Sequence, residues 1–207
     1  VTIQDFRACR DRLETVGPAS PGVRVFVADE SGRELGSGCT GELCVQGPNV
    51  ALGYFGRRRD WEARLLPCGA LRTGDLGSLD EQGVVTYVGR LDDVINSGGL
   101  KVHPTEIEGL LEPFLDGKSF CVVGLPDPDG MLGDVPALCL EGKGDVGRDM
   151  NIDVRLVAQC LEGAPEHKKP RIVCRIGQLP RTETGKVKRS ALREQLMQRA
   201  KQEGAGA

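Results

Sequence analysis

At 207 residues, with 39% hydrophobic and 28% charged side chains, the chain can bury the core of one full domain or two small ones, and it is neither disordered nor fibrous. Lysine plus arginine number 27 against 30 aspartate plus glutamate, a net charge of -3, which excludes a bulk electrostatic partner such as nucleic acid. Any phosphate ligand must therefore be held by local groups.

From Val23 to about Gly89 the pattern is one of strands and tight turns. Val23-Arg24-Val25-Phe26-Val27 alternates and is turned by Asp29-Glu30-Ser31-Gly32; Gly41 to Gly47 is a second strand; Gly77 to Gly89 reads as a hairpin with its loop at Asp80 to Gly83. After Leu91 the character changes to alternating helices and strands. Thr105-Glu106-Ile107-Glu108 has the form of a capping box, and Ile107, Leu110, Leu111 and Phe114 recur at helical spacing. Strands follow at Phe120–Gly124, Ala137–Leu140 and Arg171–Ile176. A helix opening near Asn151 puts Val157, Cys160 and Leu161 on one face, and Ser190 caps a last helix through Leu192, Leu196 and Ala200. The expectation is an α+β chain: a small antiparallel β-barrel-like or open-sheet unit over residues 1–91, then a compact α/β unit of helices on a small sheet over 92–207. Val1 is not a methionine, and the opening segment has no turn or targeting signature, so a longer parent is expected.

Eight cysteines, at 9, 39, 44, 68, 121, 139, 160 and 174, form no C-x-x-C pair, and His103 and His167 are far from metal-ligand spacing. No metal site is expected, and most of the cysteines, lying in apolar strand-like or helix-like runs, read as small buried hydrophobes of a reducing, cytoplasmic setting. No apolar stretch reaches membrane-spanning length.

The segment Leu179-Pro180-Arg181-Thr182-Glu183-Thr184-Gly185-Lys186-Val187 is built to hold one ammonium at a tip. Pro180 stiffens the approach, the threonines favour a turn, and Gly185 lets backbone come close to whatever Lys186 addresses. Such a point charge suits phosphoryl or carboxylate oxygens in a displacement at phosphorus, although an ordinary surface turn has the same composition. Asp75, in Arg72-Thr73-Gly74-Asp75, could accept hydrogen bonds from a ribose diol or close its own turn after Gly74. Arg90 could reach a phosphate or ribose oxygen, and Asp92 lies where a linker could absorb dihedral change. Gly98 and Gly99 allow close backbone approach to a ligand, or form a plain turn; Lys101 is equally a solvated strand charge. The basic run Lys186, Lys188, Arg189 could attract a polyphosphate or simply begin a helix in solvent.

These stretches together resemble the adenylate-forming superfamily of acyl-CoA synthetases, peptide synthetase adenylation domains and luciferases. The likeness runs in order over Gly41-Glu42-Leu43 with Gly47-Pro48 and Gly53-Tyr54, then Arg72 to Asp75, then Gly89-Arg90 through Lys101-Val102 with Glu106-Ile107-Glu108, and last Pro180 to Lys186. Residues Val94 to Pro104 are most similar to the acyl-CoA synthetase version. The resemblance implies that residues 1–91 are the closing β-rich part of a large AMP-binding domain and residues 92–207 a mobile carboxy-terminal lid. It implies Asp75 on the ATP ribose, Arg90 on ribose or phosphate, and Asp92 as hinge. Lys186 would be the catalytic lysine of adenylation, and Gly98 and Gly99, with Lys101 nearby, would face the CoA thiol channel. The implied ligands are ATP or AMP, a carboxylic acid, CoA, and a Mg2+ ion bound mainly by an amino-terminal part. The family's Ser/Thr/Gly-rich phosphate loop and aromatic adenine motif do not occur in these residues. A carboxy-terminal portion inactive alone is thus expected, with three alternatives open: a non-catalytic interaction module, half of a split enzyme, or an adenylation domain loading a carrier protein.

Overall fold

A computed structural model describes residues 2, 15–115, 117–142, 157 and 159–204, and divides the chain into two compact units, Val1–Asp92 and Asp93–Ala207. The first unit is a five-stranded antiparallel sheet. Its strands are β1 (Gly17–Pro18), β2 (Arg24–Ala28), β3 (Gly41–Gln46), β4 (Leu71–Leu79) and β5 (Val84–Arg90), in the order β1-β5-β4-β3-β2. The sheet does not close into a barrel. β1 and β2 are its two free edges, and β1, with two residues, is too short to carry a closing ladder.

Both faces of the sheet are covered. Val25, Val27, Leu43, Val45 and Val85 form one apolar layer, and Phe26, Ala28 and Cys44 meet Leu66 and Ala70 on the other. That is why the β2 sequence reads as a nearly continuous apolar run instead of a strict alternation. Helix α1 (Arg58–Glu62), which lies just before Leu66 in the chain, was not expected. Its signal was present in the charge spacing, because Arg57 pairs with Asp60 at 2.6 Å and Arg58 with Glu62 at 2.7 Å around the buried Trp61. The β4–β5 hairpin turns where expected: Asp80 Oδ1 accepts the backbone N–H groups of Gln82 and Val84, each at 2.9 Å.

A 3-10 turn, Leu91–Asp93, spans the junction of the units. The second unit then opens with a hairpin, β6 (Ile95–Ser97) and β7 (Leu100–Val102), followed by α2 (Pro104–Leu111). Its sheet is β10 (Ile172–Ile176), β9 (Asp134–Glu141) and β8 (Phe120–Pro126), in that order, with β10 parallel to β9 and β8 antiparallel. Alternation along β8 and β9 sends Val122, Leu138 and Leu140 to one face, against Ile95, Val102, Ile107, Leu111, Val157 and Leu161. Cys121, Val123, Ala137 and Cys139 go to the other, against Leu192 and Leu196 of α3 (Arg189–Gly204). The second unit is thus a three-layer α/β/α arrangement, and the chain as a whole is α+β.

Three expectations about helices change. Helix α2 starts at Pro104 with His103 in the cap position, so Thr105 lies inside the first turn and no capping box forms. Glu108 is recruited elsewhere: its Oε1 accepts the Val122 N–H at 2.8 Å and its Oε2 receives Arg189 at 2.6 Å. Ile107 and Leu111 are buried while Leu110, at the flank of that buried stripe, is exposed, as is Phe114 in the 3-10 turn into which α2 passes after Leu111. Similarly, α3 begins at Arg189, which puts Ser190 in its first turn, and its apolar stripe ends at Leu196, Ala200 being exposed. The expected helix start near Asn151 lies outside the described residues, although Val157, Gln159 and Cys160 are helical. Arg189 and Arg193, one turn apart, pin α3 to the sheet through Val122 O, Gly124 O, Glu108 and Asp134.

Candidate functional site

In the first unit, Asp75 and Arg90 are direct partners across β4 and β5, with Arg90 Nη1 donating to Asp75 Oδ1 at 2.8 Å. Both side chains remain partly open to solvent, and Asp75 Oδ2 receives no protein donor among the described residues. The strand bulges immediately after this point, between Leu76 and Gly77, which re-aims the Asp75 end of β4 relative to its neighbours. Beneath it lies a polar support. Glu42 is buried, at 6% exposure, and its carboxylate takes the Arg72 guanidinium at 2.6 Å and the Gly74 N–H at 3.0 Å. Thr73 Oγ1 donates to Leu43 O at 2.7 Å and accepts the Asp75 N–H at 3.0 Å. A carboxylate in a strand core is stable only with such partners, and here they hold Asp75 in place. The sequence marks Glu42 only as part of a motif; its signal is a single acid directly before the apolar run Leu43-Cys44-Val45.

In the second unit, Gly98 and Gly99 form the two-residue turn of the β6–β7 hairpin, with φ of 60° and 84°. Positive φ at both central positions is the turn type that matches strand twist, so a hairpin explains the glycine pair by itself. Gly98 has a further constraint. Its N–H donates to Leu132 O at 2.7 Å, and a Cβ there would stand 3.0 Å from Leu132 Cδ2. Gly98 also lines a cavity of about 700 Å3 with Ser97, Leu100, Leu132, His167, Lys169 and Arg171. Lys101 is exposed on β7 and is not among the residues lining this cavity.

The support of Leu132 and Arg171 in that lining was not foreseen. Asp127 is buried and shapes the turn from β8 to β9: its Oδ2 accepts the Met131 and Leu132 N–H groups at 3.1 Å each, and its Oδ1 pairs with Arg171 at 2.9 Å. Burial alone would raise its carboxyl, but the two N–H donors and the guanidinium outweigh burial and hold it below the usual carboxylate range. Arg171 binds Asp129 at 2.7 Å as well, and Lys169 contacts Glu166. The run Asp127-Pro128-Asp129 was the only sequence signal.

Lys186 sits on a tight turn. Gly185 N–H donates to Thr182 O at 2.9 Å, Thr182 N–H to Lys186 O at 2.7 Å, and Lys186 N–H to Thr182 Oγ1 at 3.1 Å. Gly185 takes φ 85°, and Arg181 clamps the turn by donating to Gly185 O at 3.0 Å while reaching Glu141 Oε2 at 3.1 Å. The Lys186 side chain is exposed and has no carboxylate partner among the described residues. Asp92 is exposed in the junction turn. The structure therefore brings Asp75 and Arg90 together in one unit and Gly98 and Gly99 in one turn of the other, with Lys186 on a separate turn of that second unit. Among the described residues no group of three or more His, Cys, Asp or Glu side chains could hold a metal ion, and no helix is long and apolar enough to cross a membrane.

A family model described as "AMP-binding enzyme" matches residues 1–55. The chain is 31% identical to a 4-coumarate–CoA ligase-like protein of Oryza sativa subsp. japonica over 191 residues, covering 92% of the chain and 34% of the relative. It is likewise 31% identical to a 2-succinylbenzoate–CoA ligase of Listeria monocytogenes over 185 residues, covering 89% of the chain and 36% of the relative. Among solved structures, o-succinylbenzoate CoA synthetase from Bacillus subtilis in complex with its acyl-adenylate intermediate superposes with a TM-score of 0.77 at 28% identity, covering 91% of this chain and 37% of that one. ATP-bound MatB from Rhodopseudomonas palustris does so with a TM-score of 0.73 at 33% identity, covering 88% and 35%. The chain spans about a third of the length of the curated relatives it matches. With its motifs in family order and its fold shared with these enzymes, the chain belongs to the adenylate-forming, AMP-binding enzyme family, of which it holds a part.

Proposed function

We propose that this chain serves an acid–thiol ligase that activates a carboxylic acid with ATP and passes the acyl group to CoA. In the first step a carboxylate oxygen attacks the α-phosphorus and displaces pyrophosphate; in the second the CoA thiolate attacks the acyl carbon and releases AMP. The observation that carries this reading is the pairing of two unlike devices. Asp75 keeps one carboxylate oxygen open beside Arg90, as a ribose diol and its phosphate require, and Lys186 holds an uncompensated ammonium on a rigid turn.

In this reading Asp75 accepts the ribose hydroxyls, Arg90 contacts ribose or phosphate, Lys186 stabilises charge on the α-phosphate and the attacking carboxylate, and Asp92 is the hinge. The CoA acceptor is supported by the cavity beside Gly98, whose lining joins Leu100 and Leu132 to Glu166, His167, Lys169 and Arg171; in this reading a phosphate group of CoA competes for Lys169 and Arg171 with their partners Glu166, Asp127 and Asp129. Gly98 and Gly99 would approach the pantetheine arm closely, with Lys101 nearby. The names of the relatives, CoA ligases, favour CoA over a carrier protein. Mg2+ would neutralise the polyphosphate of ATP; the described residues offer no ligand cluster for it. Leu52 and Phe55, at 104% and 105% exposure, support a partner surface covered by the remaining portion of such an enzyme. The free cysteines suit the cytoplasm.

Calorimetry tests the reading on the chain as it is. AMP should bind the wild type and fail to bind Asp75→Ala, and CoA should bind the wild type and fail to bind Gly98→Leu. Adenylation by the chain alone should be absent, since positioning supplies most of the rate in such displacements. Binding of neither ligand, or pyrophosphate exchange by these 207 residues that depends on Lys186, would overturn it.

A further inference from the structure

Cys121, Cys139 and Cys174 occupy one rung of the second unit's sheet: Cys139 on the central strand is the register partner of Cys174 on β10 and of Cys121 on β8. All three belong to the layer that faces α3. The two neighbours of Cys139 are not equivalent. Cys121 Sγ lies 3.7 Å from its own strand's Val122 O, whereas Cys174 Sγ lies 3.3 Å from Cys139 Sγ. Neighbouring strands run about 4.8 Å apart, inside the Cα separations that disulfides span, so side-chain rotation alone can bring these sulfurs the remaining ~1.3 Å to bonding distance.

We propose that Cys139 and Cys174 form a redox modification site, a cross-strand dithiol that closes to a disulfide on exchange with a low-molecular-weight disulfide and reopens with a thiol reductant. Cys174 is the half-buried member and Cys139 the buried one, so Cys174 meets the reagent first. Its thiolate attacks one sulfur of the reagent, forming a mixed disulfide and releasing one thiolate. Cys139 then loses its proton and attacks the Cys174 sulfur, releasing the second. The two protein thiols are oxidised and the reagent is reduced to two thiols.

The order of attack agrees with the electrostatics of the pair. The Cys174 S–H donates to Cys139 Sγ, and once Cys174 loses that proton the Cys139 S–H can turn to its thiolate; that bond holds the Cys174 thiol below its ordinary range, and the same bond and burial drive Cys139 up. Cys121 Sγ, whose contact is Val122 O, is pushed up to about 12, first by burial, which disfavours its thiolate. The link fastens β10 covalently to β9, and β10 is the strand that leads into the Lys186 turn. It is independent of the proposed ligase activity.

The test uses the full chain, treated with 2-hydroxyethyl disulfide, denatured, alkylated and mapped by mass spectrometry. The expected result is a Cys139–Cys174 cross-linked peptide lacking two hydrogens, abolished by dithiothreitol, and a thermal midpoint that rises on treatment and falls back on reduction. Cys139→Ala should instead trap the reagent as a mixed disulfide on Cys174, and in Cys174→Ala the Cys139 thiol should stay alkylatable. A Cys121–Cys139 link, or oxidation confined to the exposed Cys39 and Cys68, would overturn the proposal, and both readings come from the wild type irrespective of how the variants fold.

Discussion

Asp75 and Arg90 face each other across β4 and β5 with Oδ1 and Nη1 2.8 Å apart, so two groups that the sequence resemblance assigns to a nucleotide are paired with each other. A half-open ion pair of this kind contributes only about 0.2–1 kcal/mol to folding. Asp75→Ala should therefore change the thermal midpoint little while removing AMP binding. A large drop in stability with AMP affinity retained would make Asp75 a structural residue.

Glu42 carries the opposite balance. Its carboxylate is buried and satisfies both Arg72 and the Gly74 N–H, so removing it strands a guanidinium and an amide. Glu42→Ala should lower the stability of the chain by about 2–3 kcal/mol, measured by denaturant unfolding. Glu42→Gln keeps an acceptor for Gly74 and should fall between the alanine variant and wild type.

Arg189 ties α3 to β8 and α2, reaching Glu108 at 2.6 Å, Asp93 at 3.3 Å and Val122 O at 3.3 Å. Burial disfavours its charge, yet the two carboxylates outweigh burial and hold the guanidinium firmly protonated. Arg189→Leu should cost about 3 kcal/mol in denaturant unfolding, since it leaves two half-buried carboxylates unpaired. Arg189→Lys should recover little, because an ammonium cannot reach three acceptors in a fork.

The Lys186 turn depends on Gly185 at φ 85°, where a Cβ would meet no atom within 4 Å. Gly185→Ala is then penalised by backbone conformation alone, about 1 kcal/mol. Limited trypsin digestion should show cleavage after Lys186 accelerated about fivefold, with the global midpoint nearly unchanged. Equal cleavage rates would mean that the turn does not hold Lys186 in place.

Acid stability should carry a signature of the turn after β2. Asp29 is held down at about 2, first by the Ser31 hydroxyl at 2.6 Å and then by the Arg33 N–H at 2.9 Å. An unfolded aspartate titrates near about 4, so the folded state binds fewer protons between these values. The contribution is complete above about pH 4, declines as pH falls toward about 2, and is gone below it. Carbon-13 titration of the Asp29 carboxyl should locate it near 2, and Asp29→Asn should flatten this part of the acid-unfolding curve.

Much of this was legible in the residues. The hairpin at Asp80–Gly83, the strands β2, β3, β8, β9 and β10, and the turn that presents Lys186 follow from local patterns, since turn chemistry and short-range periodicity act within a few residues. Helix starts were displaced by one or two residues because Pro104 and Arg189 enter the helix and the carboxylate of Glu108 is drawn to Val122 and Arg189 from other elements. Leu110 and Phe114 have helical spacing yet are exposed, because which side of α2 is covered and where α2 ends are decided by what it packs on.

By itself the sequence determined the family resemblance, the strands β2, β3, β8, β9 and β10, and the turn that presents Lys186. All of these are written in spacing along the chain. Only the tertiary structure decided that Glu42 and Asp127 are buried and satisfied, that Asp75 and Arg90 pair, and that Cys139 touches Cys174. The ion pairs Glu42–Arg72, Asp75–Arg90 and Asp127–Arg171 and the Cys139–Cys174 contact each join residues 15 or more positions apart, and no local propensity records a distance closed by folding.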